Sequence, residues 1–455
     1  MKKPRRKTAA SRNSASLPAR RQPPRRPQPP PAVGEGLTGR YLVTFRDQEP
    51  EEGIRLLGRC VGAAHVARTS DFAAGAPAMR ELEQADAVVF DKLGVAVVSA
   101  PPDAAQFLAA VEEAPAIQSV EPERIMHALS AGPIGPGVVL PPTGPSLEYL
   151  RGYRDGVNAL FSQLSGGSGG LALAEPCAAF ADTEQATWGL QATRVVDSRA
   201  SGRSIRLAVL DTGVDLRHAD LAGRAIESES FISGEPPQDG HGHGTHCIGT
   251  ACGPRRPADT RRYGVAYSAR IFAGKVLSNA GSGADAGILA GIDWAVTNRC
   301  QVISMSLGAT APPSDAYETV ARRAMAAGTL IIAAAGNEGS RAISRPANSP
   351  SIMAVGALDS ALRVAEFSNW GAPSGGGQID IAAPGVHVYS AWPEPARYRT
   401  ISGTSMATPH VAGIAALWSQ TRKITGAALW QALAASAQRL PQPSLAVGAG
   451  LAQAP

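Results

Sequence analysis

Three of the chain's eight histidines fall within the short stretch DGHGHGTHCIGT, at His241, His243 and His246. Imidazole is a common metal ligand, and it is also the side chain that most often transfers protons near neutral pH. Three such rings at spacings of two and three residues therefore indicate either a metal site or a site with one general base. The stretch alone leaves both alternatives open.

Three other residues have the types and positions that covalent catalysis needs. Asp211 ends the apolar run LAVLD, where a buried carboxylate needs a partner for its charge. Ser405 precedes a helical stretch, and the free N–H groups at a helix N-terminus favour developing negative charge. Asn337 follows the run AAAG, and its side-chain amide can donate a hydrogen bond. With a histidine as the base and Asp211 orienting it, Ser405 would attack a carbonyl, and its backbone N–H and Asn337 would bind the oxyanion. The set predicts nucleophilic acyl transfer.

The elements that must position these residues follow from the apolar pattern of residues 183–455. Near-continuous apolar strands that alternate with helices predict an α/β fold, with a central, mostly parallel sheet covered on both faces. Functional residues in such sheets gather beyond the C-terminal ends of the strands. The predicted strands are 205–211, 269–277, 301–307, 330–336 and 351–358, and the predicted helices include 287–298 and 314–328.

The preceding part of the chain predicts a second, smaller folded unit. Residues 39–128 follow the order β-α-β-β-α-β, which is typical of a small α+β, ferredoxin-like domain. Its strand runs are 40–45, 86–90, 94–100 and 117–123, and its helical runs are 49–62 and 102–115. It has no evident catalytic set of residues, and His65 and His127 are expected at its surface. Residues 129–182 are expected to be a linker in which Pro/Gly- and Gly/Ser-rich segments flank one amphipathic helix, 146–164.

Long motifs in residues 183–455 resemble those of the subtilisin-like serine proteases, the subtilases. They occur in that family's order and are DTGVD at 211–215, HGTH at 243–246, SLG at 306–308, AAAGNEG at 333–339 and GTSMATPHVAG at 403–413. The segments HGTHCIGT, YGVA, FSNWG and SGTSMATPHVAG further resemble the proteinase K-like branch. Residues 39–128 resemble the inhibitory propeptide of the same family. The resemblance implies the subtilisin-like three-layer fold and a serine endopeptidase.

The resemblance also implies a role for each matching residue. Asp211, His243 and Ser405 match the catalytic triad, and Asn337 matches the oxyanion-hole asparagine. Two cleft edges would take a polypeptide substrate as an added β-strand, and one residue would lie at the rim of the primary specificity pocket. These substrate-binding residues are Gly281, Ser282, Gly283, Ser306, Leu307, Gly308 and Glu338.

Maturation and oligomeric state follow from the same resemblance. It implies a monomeric, self-processed zymogen whose own propeptide is an intramolecular inhibitor. Cleavage is then expected within residues 129–182.

Metal and cysteine chemistry are expected to be limited. The segment GPRRPADTRRYGVA at 253–266 lacks the family's Asn-rich calcium loop, so Asp220, which matches a ligand of that site, is expected to have no calcium to bind. Asp380 matches a cation-binding position, and it is either a ligand of a structural calcium or a plain structural carboxylate. No cofactor is expected to be required. Cys247 lies one helical turn after His243, so its thiol is expected beneath the imidazole.

The cysteines and the basic N-terminal segment bear on three questions: disulfide bonds, anionic partners and location. Five sparse cysteines do not resemble a disulfide framework. Residues 1–34 contain ten of the 43 basic residues and none of the 38 acidic ones, and with their prolines this predicts a disordered tail over 1–38. That tail is either a solubilising leader or a nonspecific ligand of anionic partners. The sequence shows no signal-peptide core and no membrane span, so an exported and an intracellular location both stay open.

Two other functions compete with the endopeptidase. A non-catalytic binding protein would use a protease-like groove, and it would not react covalently with a fluorophosphonate. A metallohydrolase would use His241, His243 and His246 together, and a chelator would inactivate it.

Overall fold

The computed structural model describes residues 36–46, 50–60, 66–71, 85–99, 114–129, 179–339, 342–371 and 377–455. The predictions for the basic tail, the 146–164 helix and nearly all of the 102–115 helix lie outside these residues. The strands are β1 (Leu37–Phe45), β2 (Val66–Arg68), β3 (Ala87–Phe90), β4 (Val95–Ser99), β5 (Ile117–Ala128), β6 (Arg206–Asp211), β7 (Ile226–Ser230), β8 (Arg270–Lys275), β9 (Ser282–Ala284), β10 (Val302–Met305), β11 (Leu307–Gly308), β12 (Leu330–Ala334), β13 (Met353–Leu358), β14 (Ile381–Pro384), β15 (Val388–Ala391) and β16 (Tyr398–Ile401). The α-helices are α1 (Pro50–Cys60), α2 (Trp188–Ala192), α3 (His243–Cys252), α4 (Asp285–Thr297), α5 (Asp315–Ala326), α6 (Thr404–Arg422), α7 (Gly426–Ser436) and α8 (Ser444–Val447).

A seven-stranded sheet forms the centre of the larger unit, in the order β14-β13-β12-β10-β6-β8-β7. Every neighbouring pair in it is parallel. The prediction of a central, mostly parallel sheet is therefore confirmed. The edge strands β7 and β14 were not predicted, because the sequence IESES of β7 is polar and the short β14 ends in a proline.

The sheet is the middle of three layers. Along β6, Ala208 and Leu210 belong to an apolar cluster with residues of α4 and α5, whereas Leu207 and Val209 belong to a cluster with residues of α3 and α6. Successive side chains of a strand point to opposite faces, so one strand supplies both cores. This arrangement places the beginnings of α3 and α6 at the C-terminal edge of the sheet, beside the end of β6.

A second sheet connects the smaller unit to the larger one. Its strands run in the order β11-β5-β1-β4-β3-β2, with β9 also paired to β5. The predicted strands and the helix over 49–62 are present, but β2 and the one-turn 3-10 helix Thr69–Asp71 were not predicted. β5 continues to Ala128, beyond its predicted end at 123, because its last residues find pairing partners on β9 and β11.

None of the helices in the described part of the chain is both long and apolar enough to cross a membrane.

Candidate active site

The ends of two elements bring Asp211 and His243 together. Asp211 is the last residue of β6 and His243 is the first residue of α3. A Cβ at Gly244 would lie 2.3 Å from the carbonyl oxygen of Gly213, so only glycine allows the helix to approach the turn after β6 this closely. His243 Nδ1 consequently donates to Asp211 Oδ1 over 2.7 Å, and both side chains are buried.

Opposing effects act on the pKa of His243. Burial disfavours the imidazolium, but the adjacent Asp211 carboxylate stabilises it more strongly, and the pKa is raised well above its usual value. The bond to Asp211 assigns the proton to Nδ1 and leaves Nε2 as the proton acceptor. Among the described residues, Nε2 has no hydrogen-bond partner, so its lone pair is available.

Asp239 forms hydrogen bonds both to the residue after β6 and to α3, a role that the sequence did not predict. Its Oδ1 accepts from Thr212 Oγ1 over 2.9 Å, and its Oδ2 accepts from the backbone N–H of Thr245 over 2.8 Å. Thr212 follows Asp211 and Thr245 lies in the first turn of α3. One buried carboxylate therefore fixes the separation of Asp211 and His243. The only sequence signal was an acidic residue directly before GHGHGTH.

Ser405 is the second residue of α6, as the sequence predicted for a serine at a helix N-terminus. It is buried, and its Oγ donates to the carbonyl oxygen of Ser306 over 3.0 Å. The hydroxyl is thus not hydrogen-bonded to His243 in this structure. A rotation about one side-chain bond would redirect this hydroxyl.

The hydrogen bonds of Asn337 fix the orientation of its amide. Its Oδ1 accepts from the backbone N–H of Thr404 over 2.8 Å and from Thr404 Oγ1 over 2.9 Å. Because both of these partners are donors, the oxygen must face Thr404 and the Nδ2 group must face the cleft. Nδ2 donates to the carbonyl oxygen of Leu129 over 2.7 Å. Thr404 is a second positioning residue that the sequence did not predict.

A strand of the chain itself, β5, lies between the two predicted cleft edges. Residues 125–127 of β5 pair antiparallel with β9, and residues 127–128 pair antiparallel with β11. The contacts continue beyond the strands, since the N–H of Ala128 donates to the carbonyl oxygen of Gly281 and the N–H of Leu129 donates to that of Ser306. The predicted substrate-binding residues therefore line both sides of one extended segment; they are Gly281, Ser282, Gly283, Ser306, Leu307 and Gly308.

Glu338 lies at the exposed end of this cleft. Its carboxylate accepts a hydrogen bond from the Asn369 side-chain amide, and its backbone N–H donates to Asn369 Oδ1 over 3.0 Å. The side chain is thus held beside Gly336 at the rim.

The three clustered histidines have different surroundings. His246 is buried, and its Nε2 lies 3.1 Å from the carbonyl oxygen of Val388, while burial lowers its pKa to about 3. His241 is half-buried beside Gly281, where burial and the nearby His243 lower its pKa. In the described part of the chain, these three rings do not bring ligand nitrogens within 4.8 Å of one another.

His218 and His410 are also buried, and each is hydrogen-bonded to a backbone carbonyl oxygen. The thiol of Cys247 is buried beneath the His243 ring, with 3.9 Å between Sγ and Nδ1.

Asp220 and Asp380 differ in how their carboxylates are satisfied. Asp220 Oδ2 accepts from the hydroxyls of Tyr263 and Tyr398 over 2.7 and 2.9 Å, and its Oδ1 accepts from the N–H of Ala258. Asp380 Oδ2 accepts from the N–H of Ala354 over 2.8 Å, and the carboxylate borders a cavity of about 280 Å³. Burial raises the pKa of Asp380 to about 6. Both oxygens of Asp220 therefore accept close hydrogen bonds, whereas Asp380 Oδ1 has a longer one, 3.4 Å from Gln378 Nε2.

A buried Asp–His pair near a serine at a helix N-terminus and an amide donor is the arrangement of a serine hydrolase. Residues 202–450 match the model of the Subtilase family. The chain is 43% identical over 237 residues to M-protease of Shouchella clausii, covering 51% of this chain and 59% of that protein. It is 43% identical to Subtilisin Savinase of Lederbergia lenta over 51% of this chain and 84% of that protein, and 44% identical to Subtilisin of Bacillus pumilus over 48% and 77%. The chain belongs to the subtilase family of serine endopeptidases.

Proposed function

We propose that this chain is a serine endopeptidase in which Asp211, His243 and Ser405 form the catalytic triad and Asn337 contributes to the oxyanion hole. The observation that carries the proposal is the hydrogen bond from Asn337 Nδ2 to the carbonyl oxygen of Leu129, in a segment that lies between both cleft edges. A backbone carbonyl is thereby held against the amide donor close to Ser405. A peptide substrate needs the same position.

The proposed roles follow from the hydrogen-bonding capacity of each side chain. His243 Nε2 takes the proton of Ser405 as Oγ attacks the carbonyl carbon, and Asp211 stabilises the imidazolium that forms. Asn337 Nδ2 and the N–H of Ser405 at the start of α6 stabilise the oxyanion. His243 then protonates the leaving amine.

Substrate recognition in this proposal is mainly through the backbone. A polypeptide binds as an added β-strand between residues 281–284 and 306–308, where carbonyl and N–H groups are unpaired without it. Side chains of alternate substrate residues enter the cleft walls. Glu338 lies at the pocket rim.

We also propose that the chain is a self-processed zymogen of the proteinase K-like branch. Its units are the basic tail (1–38), the propeptide (39–128), the linker (129–182) and the catalytic domain (183–455). The support for an intramolecular inhibitor is that β5 occupies the substrate position. The branch assignment rests on the motifs HGTHCIGT and SGTSMATPHVAG.

A structural calcium near Asp380 is compatible with the residues present. The Asp380 carboxylate borders a cavity that Ser349 and Gln378 also line, and their side-chain oxygens are donors of the kind that calcium prefers. The cation would neutralise Asp380 and stabilise the fold, with no part in the reaction.

The fate of the Ser405→Ala chain tests the proposed function. Wild-type chain is expected to separate into two fragments and then to hydrolyse an unfolded protein such as casein. The Ser405→Ala chain is expected to stay intact when purified without other proteases. Ser419→Ala is a matched control on the same helix, since the Ser419 hydroxyl only donates to the carbonyl oxygen of Ile424. Processing of Ser405→Ala at the wild-type rate would refute the proposal.

A further inference from the structure

Two glutamates fix the register with which β5 enters the cleft. Glu123 is fully buried, and its Oε1 accepts from the N–H of Ala286 in the first turn of α4 over 2.8 Å. Glu121 Oε1 accepts from the N–H of Ala316 in the first turn of α5 over 3.0 Å. Each carboxylate thus caps a helix N-terminus, where free N–H groups and the helix dipole favour negative charge.

The counter-ions of these glutamates strengthen the same register. The Arg40 guanidinium pairs with Glu123, with 2.6 Å between Nε and Oε2, and Arg345 pairs with Glu121 over 3.2 Å. A slip of β5 by one residue would exchange its two faces and withdraw both carboxylates from the helices. The register therefore determines which carbonyl reaches Asn337, and that carbonyl belongs to Leu129.

The side chain of Leu129 is buried against Gly308. It is only 8% exposed. A Cβ placed on Gly308 would lie 3.0 Å from Leu129 Cδ1, so the backbone of Gly308 lies directly beside this side chain. A charged side chain at this buried position would be costly, because the charge would lose its hydration.

We propose that the peptide bond between Leu129 and Ser130 is the bond that the chain cuts in its own maturation. This inference rests on the proposed function and specifies its substrate bond. Ser405 Oγ bonds to the carbonyl carbon of Leu129 while its proton passes to His243 Nε2. The carbon–nitrogen bond breaks as His243 delivers that proton to the nitrogen of Ser130.

The acyl-enzyme is then hydrolysed. A water molecule gives a proton to His243 and its oxygen bonds to the acyl carbon, and Ser405 Oγ leaves with the proton. The products are a fragment ending in the Leu129 carboxylate and a fragment beginning at Ser130. The second fragment retains residues 130–182, so the first product is a catalytic domain with a long N-terminal extension.

Mass spectrometry of both fragments during a time course of the purified full chain tests this inference. The first cut is expected to give a fragment ending at Leu129 and a partner beginning at Ser130. Leu129→Asp is expected to slow the appearance of both by at least about tenfold, because burial of the carboxylate at this position is costly. Gln118→Asp, an exposed position on the same strand, is the matched control and is expected to process normally.

If the Leu129→Asp chain does not fold, cleavage of a synthetic peptide spanning residues 123–134 provides the test instead. Processed enzyme is expected to cut this peptide after Leu129, and the peptide with Asp at 129 at least about tenfold more slowly. A first cut at another bond, together with cleavage of the peptide elsewhere, would overturn the inference and leave the endopeptidase proposal intact. Processing of the Ser405→Ala chain would instead overturn the proposed function.

Discussion

Asn337 donates its side-chain amide to the carbonyl oxygen of Leu129, with 2.7 Å between Nδ2 and O, although the two residues lie 208 positions apart. This bond joins the smaller unit to the larger one at the point where chemistry would occur. It depends on the amide being held in one orientation and on β5 being held in one register. Both conditions lead to measurable consequences.

Replacing Asn337 with alanine is expected to slow self-processing by roughly 10²–10³, the loss measured for the corresponding donor in a subtilisin. The reason is that the oxyanion loses a donor while the cleft keeps its strand contacts. The rate is measured as the first-order conversion of full chain to fragments. Asn298→Ala is the control, since that amide only caps the end of α4. An unchanged rate in Asn337→Ala would exclude the amide from catalysis.

Thr404 is expected to act through Asn337. Thr404→Val removes the hydroxyl that donates to Asn337 Oδ1 and should slow self-processing about tenfold, the value of one hydrogen bond. Thr404→Ser keeps the hydroxyl and is expected to restore the rate. In an Asn337→Ala background, Thr404→Val should have little further effect on the rate. Equal effects of Thr404→Val in both backgrounds would contradict a positioning role.

The pH dependence of self-processing reports the protonation of His243. The base must be neutral to accept the Ser405 proton, so the rate is expected to rise as pH passes upward through the His243 pKa. The Asp211 carboxylate raises that pKa, whereas burial lowers it. Asp211→Asn should therefore move the midpoint to lower pH and reduce the plateau rate by about 10⁴. Asp315→Asn, at an exposed helix start, should change neither. A midpoint that stays fixed or moves upward in Asp211→Asn would contradict the pairing.

The raised pKa of Asp380 predicts how pH and calcium change the stability of the fold. The pKa of Asp380 in the folded protein is about 6, which lies above the usual value for a carboxyl group. Protonated Asp380 therefore adds to the free energy of unfolding below the pKa of the unfolded chain, and this contribution is lost as the pH rises through 6. At pH 8 with a chelator, Asp380→Asn is expected to raise the free energy of unfolding by about 1 kcal/mol. With calcium the order should reverse, because only the carboxylate binds the ion. Asp220→Asn serves as the comparison and should leave the calcium-dependent shift in Tm unchanged. A shift that persists in Asp380→Asn would place the ion elsewhere.

The sequence predicted much of the central sheet because its interior strands are apolar on both faces, as in β10 and β12. It did not predict the polar edge strand β7, nor the extension of β5 to Ala128, since pairing with β9 and β11 is decided by residues more than 150 positions away. Local patterns identified the candidate residues Asp211, His243, Asn337 and Ser405.

Residues that position others by long-range hydrogen bonds carry no such local pattern. Asp239 bridges Thr212 to Thr245, and Thr404 sets the amide of Asn337. β5 pairs with β9 and β11, but nothing in the sequence indicated that the carbonyl oxygen beside Asn337 belongs to Leu129.

Covalent labelling of the processed chain by a fluorophosphonate, followed by mapping of the modified peptide, tests directly whether Ser405 is the nucleophile. We expect one adduct, on the Oγ of Ser405, because among the residues that the structure describes this hydroxyl combines a helix N-terminus, a neighbouring base and an amide donor. A folded, processed chain that acquires no adduct, or that carries it on another residue, would contradict the account.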